Sequence, residues 1–466
     1  MRKIYMIGAM TCLFAACRPS VNITTPATSG RADFTNYLAI GDNYTSGYAD
    51  NSLTVTGQLN SYPERLFEQF KLAGANGVFV QPLLNSDHGY PGPKKVLAMT
   101  YNLCNHSDSS LGPIDYPNFI MDPTDANPYV STINNGQINN IGVFGLRVVD
   151  YPLNGYAALA NASGIPYAMR FYNNPNTASP LDELAYRVHN LHPTFFTLWL
   201  GLNDVLSYAA KYGGQGNGTG HALPLALHFF NQNDISNVDT FNQCYDLILN
   251  AAISTSARGV LINIPDIRVL PFFNTIPVNG LNITRQSQLD SLQALYPPST
   301  TQPQFNVVFQ MGANNFVIQD NAGRTRQSIP GEKILLSTPL DSLRCAGWGA
   351  NKPIPAQYVL TTDELQNIKT NTDLFNSYIK HEADLHNLAY IDMNTYLGTL
   401  ATGFAYNGIT YTTQYVKGGA YSLDGIHFTQ RGYALIANYI LTNINAYYHS
   451  TLPMTDVNSY HGIDFP

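Results

Sequence analysis

Four short polar segments contain the residue types that could do chemistry in this chain. They read GDNYTSG at residues 41–47, NNIGVFG at 139–145, LGLND at 200–204 and DGIH at 424–427. The last one places an aspartate three residues before a histidine, a pair that can move a proton. Any one of these patterns occurs often by chance. Four of them in order along most of the chain, each after a predicted strand or before a predicted helix, indicate one site.

Together the four segments resemble the sequence blocks of the SGNH, or GDSL-type, ester hydrolases. The resemblance implies hydrolysis of carboxylic esters on lipids, short acyl compounds or acetylated polysaccharide, without a cofactor. It implies that Gly145 offers its backbone N–H, and Asn203 its side-chain amide, to the developing oxyanion. It also implies that His427 is the general base and that Asp424 orients its ring.

Position 43 departs from the family pattern, because Asn43 stands directly after Gly-Asp, where the family has its nucleophilic serine. A carboxamide cannot be deprotonated by His427 and does not form an acyl intermediate. In a well-studied serine hydrolase, loss of the nucleophile costs about 10⁶ in kcat. Two functions follow as hypotheses: an ester hydrolase with weak or substituted catalysis, and an inactive pseudo-hydrolase that binds acylated glycan or lipid.

Two substitutes for the missing serine are open at this stage. Ser46 lies three residues after Asn43 and shares its face if a helix begins here, at a distance of about 5 Å. A misplacement of only about 1 Å can cost roughly 10²-fold in rate. The other substitute is a water molecule that His427 activates directly.

Simpler interpretations exist for each residue. Asn203 could merely cap a helix, His427 could be a surface histidine and Gly145 could be only a turn. Residues 104–106 (CNH) and 87–88 (DH) contain metal-binding types, but neither has the paired spacing of a zinc site. We assign no metal.

Short apolar runs bounded by Gly, Pro or Asn predict the strands of a buried parallel sheet. The predicted strands are residues 37–40, 194–200, 260–264 and 389–392, with a weaker fifth at 140–143.

Helical patterns lie between these strands. Ser179, followed by a proline and an acidic residue at 182, predicts a helix start, and the predicted helices cover residues 179–190, 241–258, 362–387 and 429–448. The alternation predicts a doubly wound, mostly parallel five-stranded α/β sheet with helices on both faces. In such a sheet the ligand crevice lies beyond the carboxyl ends of the strands.

The remaining stretches are rich in Pro, Gly and Asn and show no repeat. We interpret residues 34–450 as one SGNH hydrolase-like domain with insertions near 83–138, 266–330 and 400–420, and residues 451–466 as a C-terminal tail.

The chain begins with two basic residues and an apolar run over residues 4–16, which is typical of a secretory signal. The run ends in LFAAC, which resembles a bacterial lipoprotein lipobox and implies that Cys17 is acylated. We therefore expect a signal peptide at 1–16, a flexible tether at 17–33 and a lipid anchor in the bacterial cell envelope, on the periplasmic or surface face of the outer membrane.

The charge of the chain argues against nucleic acid as a partner. With 24 basic and 31 acidic side chains the net charge is −7, and such a chain lacks the basic footprint that nucleic acid requires. We expect an ester ligand and a membrane contact through the anchor, and the oligomeric state stays open. Cys244 falls on a predicted helix face as a buried residue, while a Cys104–Cys345 disulfide is possible but not deducible.

Overall fold

The computed structural model describes residues 26–101, 104, 109–126, 137–218 and 233–463. The predicted signal peptide, the predicted acylation site Cys17 and the first part of the predicted tether lie outside these residues. Within the described part of the chain, no helix has the length and apolar character needed to cross a membrane.

A five-stranded sheet forms the centre of the structure. Its strands are β1 (Tyr37–Gly41), β2 (Asn140–Gly142), β3 (Phe195–Trp199), β4 (Arg258–Ile262) and β5 (Ala389–Ile391). All neighbours pair in parallel, in the order β5-β4-β3-β1-β2. This is the flavodoxin-like order of doubly wound sheets. The five strand predictions are confirmed, with ends that shift by at most two residues.

The burial of the strands explains their composition. Every residue of β1, β2 and β3 is buried. Because successive side chains of a strand point to opposite faces, this burial requires cover on both faces. The near-continuous apolar runs seen in the sequence are the consequence.

Helices provide that cover. The main ones, with the two short helices at the site, are α1 (Asn43–Ser46), α2 (Tyr62–Lys71), α3 (Pro180–Leu191), α4 (Asn203–Leu206), α5 (Val238–Ile253), α6 (Thr362–Leu385), α7 (Met393–Thr402) and α8 (Gln430–Tyr448). Helix α5 packs against α3 and α6, whereas α8 packs against α2. Ser179 and Asp182 form the predicted capping box of α3. The four predicted helices are confirmed as α3, α5, α6 and α8, but the predicted end of α5 at residue 258 is wrong, because α5 ends at Ile253 and Arg258 is the first residue of β4.

Shorter elements fill the connections. Further helices are Val55–Leu59, Pro123–Ala126, Tyr156–Ala162, Pro271–Asn274, Gln286–Leu295 and Leu340–Arg344. Antiparallel pairs join Lys95–Tyr101 to Ser109–Asp115, Leu281–Ile283 to Gly312–Asn314, Val317–Gln319 to Thr325–Gln327, Lys333–Ile334 to Val359–Leu360, and Phe404–Tyr406 to Ile409–Tyr411.

The second insertion is longer than the sequence predicts. Two small hydrophobic clusters lie apart from the main core, and their buried side chains come from residues between Ile276 and Val359. The pairing of Lys333–Ile334 with Val359–Leu360 closes this region on itself. The predicted end at residue 330 is therefore wrong. The strand Val359–Leu360, which closes this region, pairs with a strand some 25 residues earlier, and the local sequence does not indicate this pairing.

The described residues that flank the predicted domain, 26–33 and 451–463, include side chains packed against the folded body. Arg31 donates its backbone N–H to the Tyr448 carbonyl oxygen at 2.7 Å, and Ala32 is buried. Leu452 and Val457 in the predicted tail are buried as well. Residues 26–33 thus belong to the folded body, which corrects the tether prediction for that part. The polar sequence of these residues does not indicate that their backbone bonds to the end of α8, which is distant along the chain.

A disulfide joins Cys104 to Cys345 and settles the pairing that the sequence left open. The bond ties the first insertion to the second. Cys244 is buried on α5 with a free thiol, as predicted.

Candidate active site

The site forms where the strand order reverses. Strand β1 lies between β2 and β3, and the chain leaves all three at the same edge of the sheet. Helix α1 begins at Asn43 directly after β1. Two glycines allow this close approach: a Cβ at Gly41 would lie 2.6 Å from the Trp199 carbonyl oxygen, and one at Gly142 would lie 2.5 Å from the Ser46 nitrogen. The crevice at this reversal is where doubly wound sheets bind ligands.

Two donors converge on one oxygen atom. The backbone N–H of Gly145 donates to Asn43 Oδ1 at 2.7 Å, and Asn203 Nδ2 donates to the same oxygen at 2.9 Å. Asn203 Nδ2 also donates to the Leu146 carbonyl oxygen at 3.0 Å. Gly145 has φ +82°, which favours glycine and turns its N–H toward the site.

These contacts fix the orientation of both amides. A backbone N–H can only donate, so the Asn43 atom that faces Gly145 is the carbonyl oxygen. A backbone carbonyl can only accept, so the Asn203 atom near Leu146 is the amide nitrogen. The cradle therefore consists of two N–H donors around a carbonyl oxygen, which is the geometry of an oxyanion hole.

His427 faces the other end of the Asn43 carboxamide. The distance from Asn43 Nδ2 to His427 Nε2 is 2.9 Å, and His427 Nδ1 lies 2.8 Å from Asp424 Oδ2. Because Nδ2 can only donate, Nε2 must accept, and the proton of the neutral ring is on Nδ1 facing the carboxylate. The ring is thus held in the tautomer that a general base requires.

Asp424 is held rigidly by backbone groups. Its Oδ1 accepts from the N–H groups of Ile426 and His427, each at 2.8 Å, and its Oδ2 accepts from the N–H of Asn51 at 3.0 Å. Burial raises the pKa of this carboxyl, but the adjacent His427 and these N–H donors outweigh burial and hold the pKa well below its usual range. Asp424 is therefore ionised at any pH at which His427 could act as a base.

Aromatic rings lie around the His427 imidazole. The Tyr48 ring centroid lies 4.9 Å from that of His427 and 5.0 Å from that of Phe144. The Tyr44 ring centroid lies 5.6 Å from that of His427. The sequence analysis did not single out Tyr48 and Phe144, although Phe144 lies inside a quoted motif and Tyr48 follows another. Their adjacency to motif residues was the available signal.

The Ser46 hydroxyl forms a hydrogen bond within its own helix. The hydroxyl donates to the Asn43 backbone carbonyl oxygen at 2.9 Å, and the residue is 2% exposed. At the i,i+3 spacing the hydroxyl thus bonds to the backbone of its own helix. The geometric premise for Ser46 as the substitute nucleophile does not hold.

Asp204 has a positioning role that the sequence analysis missed. Its Oδ2 accepts from the Val148 N–H at 2.8 Å, so Asn203 and Asp204 together hold the segment that follows Gly145. Burial raises the pKa of Asp204 to about 6. The signal was its place directly after Asn203 in the third motif.

The metal-binding types noted in the sequence have other contacts. Asp87 accepts from the N–H and the hydroxyl of Thr56, each at 2.8 Å, while the His88 ring stacks on Tyr116 at 4.4 Å. Cys104 is in the disulfide. Among the described residues, no group of three or more His, Cys, Asp or Glu side chains could hold a metal ion.

No protein-family model matches this chain, and no curated protein matches its sequence. The groups of the site itself define its chemistry. These can polarise a carbonyl and transfer a proton, but position 43 presents a carboxamide where the geometry would suit a nucleophile.

Proposed function

We propose that this chain is a pseudo-hydrolase of the SGNH type, which binds a carboxylic ester without forming an acyl-enzyme. The observation that carries the proposal is the bridging carboxamide of Asn43, whose oxygen occupies the two-donor cradle while its nitrogen contacts His427. The two donors of the cradle bind a carbonyl oxygen. Asn43, which lies between the cradle and His427, cannot act as a nucleophile.

Binding requires the Asn43 side chain to rotate. Rotation about its side-chain bonds would free the Gly145 and Asn203 donors for the carbonyl oxygen of a ligand. The Tyr48 ring, which lies beside His427 and packs on the buried Phe144, offers an apolar surface for an acyl chain. These features favour an acylated glycan or lipid over a charged ligand.

The second candidate function is slow ester hydrolysis by water. The observation that favours it is the His427–Asp424 pair, held at 2.8 Å in the tautomer that accepts a proton. In this mechanism His427 Nε2 would deprotonate water after Asn43 moves aside, and the cradle would stabilise the tetrahedral intermediate.

Hydrolysis of p-nitrophenyl acetate separates the two candidates. The unmodified protein is compared with Asn43→Ser and with His427→Ala. The pseudo-hydrolase proposal expects turnover only in Asn43→Ser. Turnover by the unmodified protein that disappears in His427→Ala would instead support hydrolysis by water and refute the proposal.

We further propose that the protein is exported and anchored in the bacterial cell envelope through acylated Cys17. The Cys104–Cys345 disulfide supports export, because disulfides persist in oxidising compartments. Metabolic labelling with palmitate tests the anchor: label should enter the full chain and be lost in Cys17→Ser. Equal labelling of both chains would refute it.

A further inference from the structure

Asn43 occupies its own site as a bound amide substrate would. Its carbonyl oxygen lies in the cradle, and its nitrogen, the atom that an amide hydrolysis must expel, lies 2.9 Å from the base. We propose that the site hydrolyses the side-chain amide of Asn43, converting this residue to aspartate with release of ammonia. This inference goes beyond the proposed function and rests on the geometry of the site alone.

The cradle supplies the electrostatic part of the reaction. When a nucleophile adds to Asn43 Cγ, the charge that develops on Oδ1 is met by donors at 2.7 Å and 2.9 Å. Fixed donors at such distances stabilise a tetrahedral intermediate, and loss of one typically costs on the order of 10² to 10³ in rate. Asn43 is already bound there, so no binding step opposes the reaction.

His427 handles the protons. A water molecule adds its oxygen to Cγ and gives one proton to Nε2, which forms an imidazolium that Asp424 stabilises. The imidazolium returns that proton to Nδ2, the Cγ–Nδ2 bond breaks with its electron pair on nitrogen, and ammonia leaves. The new carboxylic acid then loses its proton to ammonia. Asn43 itself is buried, with 7% exposure, and water reaches the site from the side of Gly145, which is exposed.

Ordinary asparagine deamidation follows a different route. There the next backbone nitrogen, here that of Tyr44, attacks Cγ and forms a cyclic imide that opens to both aspartate and isoaspartate. Direct hydrolysis by water gives aspartate only and places one solvent oxygen in the side chain. The two routes are therefore distinguishable by their products.

The experiment follows residue 43 by peptide mass spectrometry, directly after purification and during incubation in ¹⁸O-labelled water. We expect the full chain to show aspartate at position 43, with one ¹⁸O in each molecule converted during incubation and no isoaspartate. Asn140 serves as an internal control, since it is buried and lies in β2, outside the cradle. It should stay asparagine.

Three variants test the mechanism. His427→Ala should leave position 43 as asparagine, whereas His381→Ala, at a histidine whose side chain is 66% exposed, should convert like the unmodified chain. Asn203→Ala should slow conversion by about 10² to 10³. Thermal unfolding of each variant checks that it is folded, and if His427→Ala does not fold, Asn203→Ala still decides.

Isoaspartate at position 43, equal conversion in folded His427→Ala, or an unmodified residue 43 that is as stable as Asn140 would each overturn the inference. The proposed ester binding concerns the chain that still has asparagine at position 43, so none of these results overturns it. The esterase test uses Asn43→Ser, which has no side-chain amide, so the two proposals can fail separately.

Discussion

Replacing Asn43 with serine should create an esterase, and the structure allows the gain to be estimated. The serine Oγ would lie about where Asn43 Cγ lies, one bond from Cβ. The atom now facing His427 Nε2 at 2.9 Å is Nδ2, one further bond of about 1.3 Å away. Because a hydrogen bond leaves the trigonal Nδ2 at roughly 120° to its C–N bond, the distance from Oγ to Nε2 would be about 3.7 Å and no more than roughly 4.2 Å.

Two effects set the magnitude. A complete nucleophile contributes about 10⁶ to kcat in a well-studied serine hydrolase. A base that is about 1 Å too far away can cost about 10² of that gain. The cradle needs no change, because Gly145 and Asn203 already converge on a carbonyl oxygen. We thus expect Asn43→Ser to hydrolyse esters roughly 10⁴-fold faster than the unmodified chain.

The assay is steady-state hydrolysis of p-nitrophenyl esters, with acyl-enzyme detected by intact mass. Asn43→Ala is the matched control, since it removes the carboxamide without adding a hydroxyl, and it should stay near the unmodified rate. Asn43→Ser combined with His427→Ala should lose the gain. A folded Asn43→Ser that is no faster than Asn43→Ala would refute the claim that only the nucleophile is missing.

The remaining predictions concern the groups around the cradle and the disulfide. In the Asn43→Ser background, Asn203→Ala should lower kcat by about 10² to 10³, because one of two oxyanion donors is lost; an unchanged kcat would exclude Asn203 from the cradle. Burial raises the pKa of Asp204 from 3.8 to about 6. The folded chain therefore binds this proton more tightly than the unfolded chain, and the stabilisation is complete below about pH 4 and is lost as the pH rises through about 6. By linkage the loss is about 3 kcal/mol. In urea titrations, the unfolding free energies at about pH 4 and about pH 7 should differ less for Asp204→Asn than for the unmodified chain. The Cys104–Cys345 bond spans 241 residues, so Cys345→Ser should lower the unfolding free energy by about 2 to 5 kcal/mol, and equal denaturation midpoints would argue against the bond.

Much of the fold was predictable because its signals are local. Continuous apolar runs marked β1 and β3, since a strand that is covered on both faces has no polar side. The Ser179–Asp182 capping box marked the start of α3 within a few residues. The positions of the four motifs in the fold were predictable for the same reason, because each motif lies directly after a recognisable strand or before a recognisable helix.

The sequence by itself determined which groups enter the site: a carboxamide at position 43, an amide at 203 and a histidine with its aspartate at 424–427. Only the tertiary structure decided how they meet. The bridging pose of Asn43, the hydroxyl of Ser46 turned onto its own helix, and the Asn51 N–H on Asp424 join atoms whose neighbours along the chain carry no sign of the contact. Residues 51 and 424 are 373 positions apart, and such a pairing exists only once the sheet has brought its carboxyl edge together.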